Sequence, residues 1–555
     1  MMFLKKLLTN FLLLFLSISC FSQEFNFHSP IDAPFNLSGT FGEFRSRFHT
    51  GIDFKGGEGK EIYSIEDGYI SRIEVRTSGY GKVVYITHPN GYTSVYAHLK
   101  KFSPRIQEFI KSEQYKIESY ILRKFPEKNE ILIKRGELIG YSGNTGGSFG
   151  AHLHFEIRDS ETQDALNPLM FNYSHKDKER PIIRGLYTIN ENKTLVKRLP
   201  KKINLSKIND STYIAEDILF NGKIGLGIDT YDIQYQNLNN KNGVHRVELF
   251  IDSIQRFSYS MDRIKFSENH YKKLMYDYMS LAKNNTRVLK VYIPPKSNLS
   301  FLKKNTFNGI INSNEISEGL VCIKVTDWNR NSSYLKFKIK ASGETEDYFK
   351  PSDGIKIFTN QKKIINRGQS FVEINKNTFY DDILINISSN GNIIDLGDQT
   401  SPFRSSMKIS LPINKDLNKR KLSQSFIGKI VNGRIYYRSS KIDGSYISTN
   451  ISSLGKYTIS RDSILPIIKP INFENNSNVN SNKTLRLRIS DDKSGIRNYK
   501  AFINGKWALF EYEPKQSLIF HDLSDKIIKD GENDLLIEFQ DRVGNKQIYK
   551  AKIYY

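Results

Sequence analysis

Short apolar runs, broken every few residues by turn formers, dominate the chain. Gly68-Tyr69-Ile70, Val83-Val84-Tyr85-Ile86-Thr87, Tyr92-Thr93-Ser94-Val95-Tyr96 and His152-Leu153-His154-Phe155-Glu156-Ile157 read as strands. Pro89-Asn90-Gly91 between the second and third of these predicts a hairpin turn. One segment breaks the pattern. Between Phe102 and Lys128 the chain is charged, and Ile106, Phe109, Ile110 and Glu113 recur at helical spacing behind Pro104. Proline suits the first turn of a helix, so a helix is expected over 104–115, with residues 117–125 extended. A charged linker, His175 to Pro181, follows. Beyond it the chain is again strands and Asn/Ser/Gly-rich turns.

That second part holds a weak internal repeat. Asn242-Gly243-Val244-His245-Arg246-Val247-Glu248-Leu249-Phe250-Ile251-Asp252 parallels Ser494-Gly495-Ile496-Arg497-Asn498-Tyr499-Lys500-Ala501-Phe502-Ile503-Asn504. Further on, Asp327-Trp328-Asn329-Arg330-Asn331 corresponds to Asp541-Arg542-Val543-Gly544-Asn545, each followed by an alternating last strand. A strand, an Asp-x-x-x-Asn turn and a strand resemble the ending of immunoglobulin-like sandwich domains. The Asp and Asn are read as turn formers, with calcium binding by Asp327 or Asp541 as the alternative. The expected fold is mainly β. A small antiparallel β-sheet domain (23–175, with a helical insert at about 102–128) precedes immunoglobulin-like sandwiches at 182–342 and 462–555. A further β domain, 350–460, lies between the sandwiches.

Composition narrows the class. The chain has 555 residues, enough for several domains, with 82 Lys plus Arg against 59 Asp plus Glu, a formal charge of +23. Such a field favours anionic polymers. No zinc-finger spacing or RNP-type run supports nucleic acid, so no nucleic-acid partner is expected. Two cysteines, Cys20 and Cys322, exclude a disulfide framework. The apolar neighbours of Cys322 suggest a buried core thiol. Lys5 and Lys6 precede the apolar run Phe11-Leu12-Leu13-Leu14-Phe15-Leu16 and then small residues, the layout of a secretory signal peptide. Residues 1–22 are expected to be removed by cleavage between Ser22 and Gln23; lipidation of Cys20 is the second route. The mature protein is then exported to the periplasm, the cell surface or the medium.

Four histidines and an aspartate of the first domain form three groups: His49-Thr50-Gly51-Ile52-Asp53, Tyr96-Ala97-His98-Leu99, and His152-Leu153-His154. Residues two apart on a strand share a face, so His152 and His154 can look into one cleft. Imidazole and carboxylate suit zinc, and three protein ligands plus a water describe a catalytic site. Five candidates for three or four positions leave one or two imidazoles for proton transfer. The Gly143–Gly150 loop, containing Asn144, Thr145 and Gly146, would let an extended peptide backbone approach closely.

Ser38-Gly39-Thr40-Phe41-Gly42-Glu43-Phe44-Arg45 leading into His49-Thr50-Gly51-Ile52-Asp53 resembles the opening of the LytM/lysostaphin-type zinc endopeptidases that cut peptidoglycan (metallopeptidase family 23). Glu66-Asp67-Gly68, Tyr96-Ala97-His98-Leu99, Lys134 to Gly146 and His152-Leu153-His154-Phe155-Glu156 are similar to its later blocks, so the likeness covers about residues 34–172. It implies one Zn²⁺ per chain on His49, Asp53 and His154, with His98 and His152 flanking the bound water as catalytic groups. Asn144, Thr145 and Gly146 become candidates for substrate binding. The implied substrate is a peptidoglycan crosslink, D-Ala–diaminopimelate, with Gly–Gly as the alternative; a non-catalytic wall binder or hydrolase activator on the same fold is the rival reading. Phe149 and Ala151 stand where the family usually has a small or hydroxyl residue and a proline. The long 102–128 segment is similar to that of a Bacteroidota-like subgroup. The C-terminal domains are read as spacers or as docking modules for envelope proteins, and residues 24–180 are expected to work as a separable module.

Overall fold

The computed structural model describes residues 26–555 apart from 46, 172, 174–176, 193–198, 235–239, 303–306, 344–353, 399–400, 415–417 and 526. The expected cleavage site and Cys20 therefore lie outside the described residues. The N-terminal region comprises β1 (Leu37–Gly39), β2 (Ile52–Phe54), β3 (Glu61–Tyr63), β4 (Gly68–Val75), β5 (Lys82–Thr87), β6 (Tyr92–Ala97) and β7 (Lys101–Phe102). Then come α1 (Pro104–Lys116), β8 (Leu122–Lys124), β9 (Leu132–Ile133), β10 (Leu138–Tyr141), β11 (Leu153–Asp159) and β12 (Ala165–Leu166). The main sheet runs β1-β2-β11-β6-β5-β4-β8 with antiparallel neighbours, and β3-β10-β7 form a small second sheet. The mainly β expectation and the helix in the insert both match.

Strand pleating divides β11 between two environments. Leu153, Phe155 and Ile157 enter the core with Ile52, Phe54, Val84, Ile86 and Tyr96. His154, Glu156 and Arg158 alternate with them, and so belong to the opposite face. Helix α1 opens with Pro104, whose missing N–H costs nothing in the first turn, and buries Ile106 and Ile110. The other side of α1 meets the C-terminal sandwich. The Tyr115 hydroxyl donates to Asp525 Oδ2 at 2.6 Å and its ring meets the edge of Trp507 at 5.2 Å, while Lys111 pairs with Asp525 at 3.1 Å. The insert is a platform for the last domain.

The first domain and the sandwich after it share one buried cluster, running from Ile31 to Ile339. Strand β12 pairs with Arg263–Ile264, Phe48 packs edge-on against Phe301 at 5.4 Å, and Asn167 Nδ2 donates to Met261 O at 3.0 Å. The shared core weighs against the expected separable module at 24–180: cutting there would expose the apolar face of β12 and its neighbours. Residues 357–457 and 473–553 have cores of their own.

The repeat is visible in three dimensions. Arg246–Ile251 and Ile496–Ile503 each pair antiparallel with a long strand, Glu318–Thr326 and Glu532–Asp541, which pairs in turn with Ser332–Ala341 and Lys546–Tyr554. Cys322 is only half-buried, against expectation. Alternation along Glu318–Thr326 sends Val321, Ile323 and Val325 inward and leaves Cys322 on the other face, beside Lys324 and Lys336. No helix among the described residues is long and apolar enough to cross a membrane.

Candidate metal centre

Register builds the centre. Strands β2 and β11 pair so that Asp53 lies opposite His154, and β6 places Ala97 on the other side of His154. His98, the next residue, adopts φ +62°, a left-handed conformation that costs a non-glycine residue about 1 kcal/mol or more and turns it out of the strand line. His49 precedes Asp53 by one short loop. Within that loop Gly51 has no room for a side chain, since a Cβ there would sit 2.2 Å from Phe155 O.

Three candidate ligand atoms form a nearly equilateral triangle. His49 Nε2 lies 2.9 Å from Asp53 Oδ1 and 3.0 Å from His154 Nδ1, and His154 Nδ1 lies 2.9 Å from Asp53 Oδ1. Ligands held about 2.0–2.1 Å from a shared tetrahedral zinc are about 3.3 Å apart, so a small expansion accommodates the ion. The hydrogen bonds behind the ligands select the required tautomers. His49 Nδ1 donates to Thr40 O at 2.7 Å, leaving Nε2 as a lone pair, and His154 Nε2 donates to Glu156 Oε1 at 2.9 Å, leaving Nδ1. Such outer partners orient metal-ligating imidazoles and raise their basicity. All three ligand residues are buried.

The electrostatics also favour a cation. Burial opposes charge on His154, yet its hydrogen bonds to Asp53 and Glu156 outweigh burial and push it up to about 9. Burial would likewise raise Asp53, but the His49 charge and the bonds from His154 and His49 hold its carboxyl well below the usual range. Asp53 therefore stays ionised beside the two imidazoles, and two imidazole nitrogens with a carboxylate oxygen are a zinc-compatible donor set.

His98 and His152 flank this triangle. His98 Nδ1 donates to Thr145 O at 2.8 Å and His152 Nδ1 to Gly150 O at 2.8 Å, so each keeps a bare Nε2. His152 Nε2 is 3.5 Å from Asp53 Oδ1, and the two rings are 4.9 Å apart. Burial, helped by His154 and His152, pushes His98 down to about 3, and burial lowers His152 too. Both are neutral proton acceptors at physiological pH.

The loop candidates divide. Thr145 backs the site: its hydroxyl donates to Leu99 O and accepts from Lys82 N, while its carbonyl holds His98. Gly146 (φ +72°) packs on Gly79 and Gly81, where a Cβ would sit 2.4 Å from Gly81 N. Asn144 lies at the rim, its Oδ1 accepting from Lys515 Nζ of the C-terminal sandwich at 2.9 Å.

Sequence reasoning missed the support network. Glu156, fully buried, accepts from His154, from Thr50 Oγ1 and Tyr80 OH, and from Arg158 Nε at 2.6 Å. Arg45 Nη2 pairs with Asp53 Oδ2 at 2.8 Å. The signal for the first was present, because His154, Glu156 and Arg158 recur at a period of two on β11. Nothing local to Arg45 or Tyr80 announces their partners.

An antiparallel β domain with this triangle and two neutral imidazoles beside it has the make-up of a metal-dependent hydrolase. Residues 47–115 match the model for Peptidase family M23, and the N-terminal domain is an M23 peptidase domain. Residues 356–462 match a Zu5-like domain. The chain is 36% identical over 112 residues to the DD-carboxypeptidase/endopeptidase Mpg of Neisseria meningitidis serogroup B, covering 20% of either chain. It is 32% identical over 136 residues to the peptidoglycan DD-endopeptidase ShyA of Vibrio cholerae, covering 23% of this chain and 26% of that one. To the murein hydrolase activator NlpD of Salmonella dublin it is 30% identical over 121 residues, covering 22% and 25%. The chain thus spans about a quarter or less of the length of these curated relatives.

Proposed function

We propose that the protein is a zinc-dependent endopeptidase that hydrolyses peptide crosslinks of peptidoglycan, in the first place D-Ala–diaminopimelate. The observation that carries the reading is the triangle of His49, Asp53 and His154 with both histidine tautomers set by their outer partners. The relatives named as DD-endopeptidases support the substrate class.

Zinc held by His49, Asp53 and His154 would supply Lewis acidity and an acidified water. The chain's own groups do the rest. His98 and His152, neutral and bare at Nε2, accept a proton from the attacking water and return it to the leaving amine, a role worth about 10²–10⁴-fold. The carbonyls of Thr145 and Gly150 hold these rings in the accepting tautomer. Phe149, fully exposed on the same loop, offers an apolar surface at the rim.

The match to an activator favours a second reading, a non-catalytic wall protein; the complete set of five site residues weighs against it. Metal analysis together with mass spectrometry of purified peptidoglycan after incubation separates the two. Stoichiometric zinc and new amino termini on diaminopimelate are expected, and intact crosslinks beside a zinc-loaded protein would refute the enzyme. Export with removal of residues 1–22 belongs to the same proposal, and a mature N-terminus other than Gln23 would contradict the proposed cleavage. Docking of envelope proteins on the C-terminal domains is also part of it.

A further inference from the structure

A second cluster of acids lies where the M23 domain hands over to the first sandwich. Asp177 comes from the linker, Asp232 from the end of the strand Lys223–Tyr231, and Asp327 from the turn after Glu318–Thr326. All three are buried, and each offers a carboxylate oxygen within 4.8 Å of the others. Among the described residues, no Lys or Arg pairs with any of them.

Hydrogen bonds account for only part of the cluster. Asn331 donates to both oxygens of Asp327, from its backbone N at 2.8 Å and its Nδ2 at 2.7 Å, and Asp177 Oδ1 accepts from Glu179 N at 2.9 Å. Among the described residues, Asp177 Oδ2 and Asp232 Oδ1 find no donor, though they lie in residues only 7% and 2% exposed. Asn242, joined to Asp232 by two main-chain hydrogen bonds of 2.9 Å, likewise has a buried Oδ1 with no donor among the described residues. An ionised carboxylate left so would cost several kcal/mol. Burial, reinforced by the charges of Asp327 and Asp177, accordingly holds the Asp232 carboxyl well above its usual range.

The arrangement recurs in the other sandwich. Asp462 from the linker, Asp491 just after the strand Thr484–Ser490 and Asp541 of the second Asp-x-x-x-Asn turn form an equivalent trio. Asn545 donates to Asp541 from N at 2.8 Å and from Nδ2 at 2.6 Å, and to Asp462 O at 3.0 Å; Asn331 makes the same contacts, reaching Asp177 O at 3.1 Å. A turn needs one aspartate. It does not need two further carboxylates brought in from a linker and from another strand.

We infer that Asp177, Asp232 and Asp327 bind a divalent cation, Ca²⁺, that fastens the linker behind the M23 domain to the first sandwich. Hard carboxylate and amide oxygens with no nitrogen or sulfur ligand select Ca²⁺ or Mg²⁺ over zinc. Oxygens on opposite sides of Ca²⁺ are about 5 Å apart against about 4 Å for Mg²⁺, and the loose, irregular shell of Ca²⁺ suits ligands drawn from three separate segments. The site is distinct from the His49–Asp53–His154 centre and does not depend on the function proposed for it.

The full-length, zinc-loaded protein is to be equilibrated with millimolar CaCl2, freed of excess metal, and its bound calcium and zinc counted by elemental analysis. Asp232→Asn, nearly isosteric, is expected to hold one calcium fewer than the wild type with unchanged zinc, and calcium is expected to raise the unfolding temperature of the wild type more than that of the variant. Asp177→Asn, nearer the surface of the linker, repeats the measurement should Asp232→Asn fail to fold. Equal calcium in the wild type and a folded variant, or no calcium retained by the wild type, would overturn the assignment.

Discussion

His49, Asp53 and His154 differ from His98 and His152 in where their lone pairs point. The first three converge on one another at 2.9–3.0 Å, whereas the other two rings stand alongside. Replacing any of the first three by alanine is expected to lose zinc and activity together. His98→Ala and His152→Ala should keep near-stoichiometric zinc while turnover falls about 10²-fold or more, as metal analysis beside muropeptide assays will read. Zinc lost from His152→Ala but kept in His154→Ala would reverse the assignment. Glu156→Gln tests the outer partner. It leaves the buried Arg158 without its carboxylate, which costs about 3–5 kcal/mol, and weakens zinc binding by about 10–100-fold. A competitive zinc titration and a thermal melt measure the two effects, and a variant unchanged in both would remove Glu156 from the site.

At the level of elements, the centre depends on pairing register and on one glycine-rich loop. The loop from Gly143 to Gly150 carries both carbonyls that hold His98 and His152. Its Gly146 has a positive φ and lies against the backbone of Gly79 and Gly81. Gly146→Ala should therefore push the loop away from the β4–β5 turn, lowering turnover about tenfold or more while His49, Asp53 and His154 keep their zinc. Wild-type turnover in that variant would show that the loop does not position His98. Helix α1 plays a different part, carrying the C-terminal sandwich through Tyr115 and Lys111.

On the scale of the molecule, the shared core decides where the chain can be cut. The fragment 24–343 is expected to fold and bind zinc, whereas 24–180 should aggregate or unfold, because it keeps only half of the cluster between Ile31 and Ile339. Circular dichroism and metal content of the two fragments check this, and a folded, zinc-loaded 24–180 would contradict it. The C-terminal sandwich returns to the first domain through Lys82–Glu511 at 2.6 Å and through Lys515 on Asn144, so the last domain stands beside β5 and the Gly143–Gly150 loop. The excess of basic residues makes a further prediction: binding of the mature protein to isolated cell wall should weaken steeply as salt is raised. Salt-insensitive binding in a sedimentation assay would point to specific recognition instead.

The chain's own pattern was enough to announce a mainly β protein, the α1 helix, the repeat with its Asp-x-x-x-Asn turns and the five residues of the centre. The five stood out as His and Asp candidates, but their roles came from the resemblance to the LytM/lysostaphin-type enzymes; the other three rest on local rules: alternation on a strand, apolar spacing on a helix, or a turn former at a set offset. Even Glu156 was legible in this way, two residues beyond His154. Tertiary structure alone decided the rest, because it joins residues that no local rule relates. Arg45 reaching Asp53, Tyr80 reaching Glu156 and the continuity of one core across two predicted domains all follow from how separate segments pack together. The same holds for Asp177, Asp232 and Asp327. In the sequence Asp327 is a turn former and the other two are unremarkable acids; only folding brings the three carboxylates to one point, with no basic partner among the described residues.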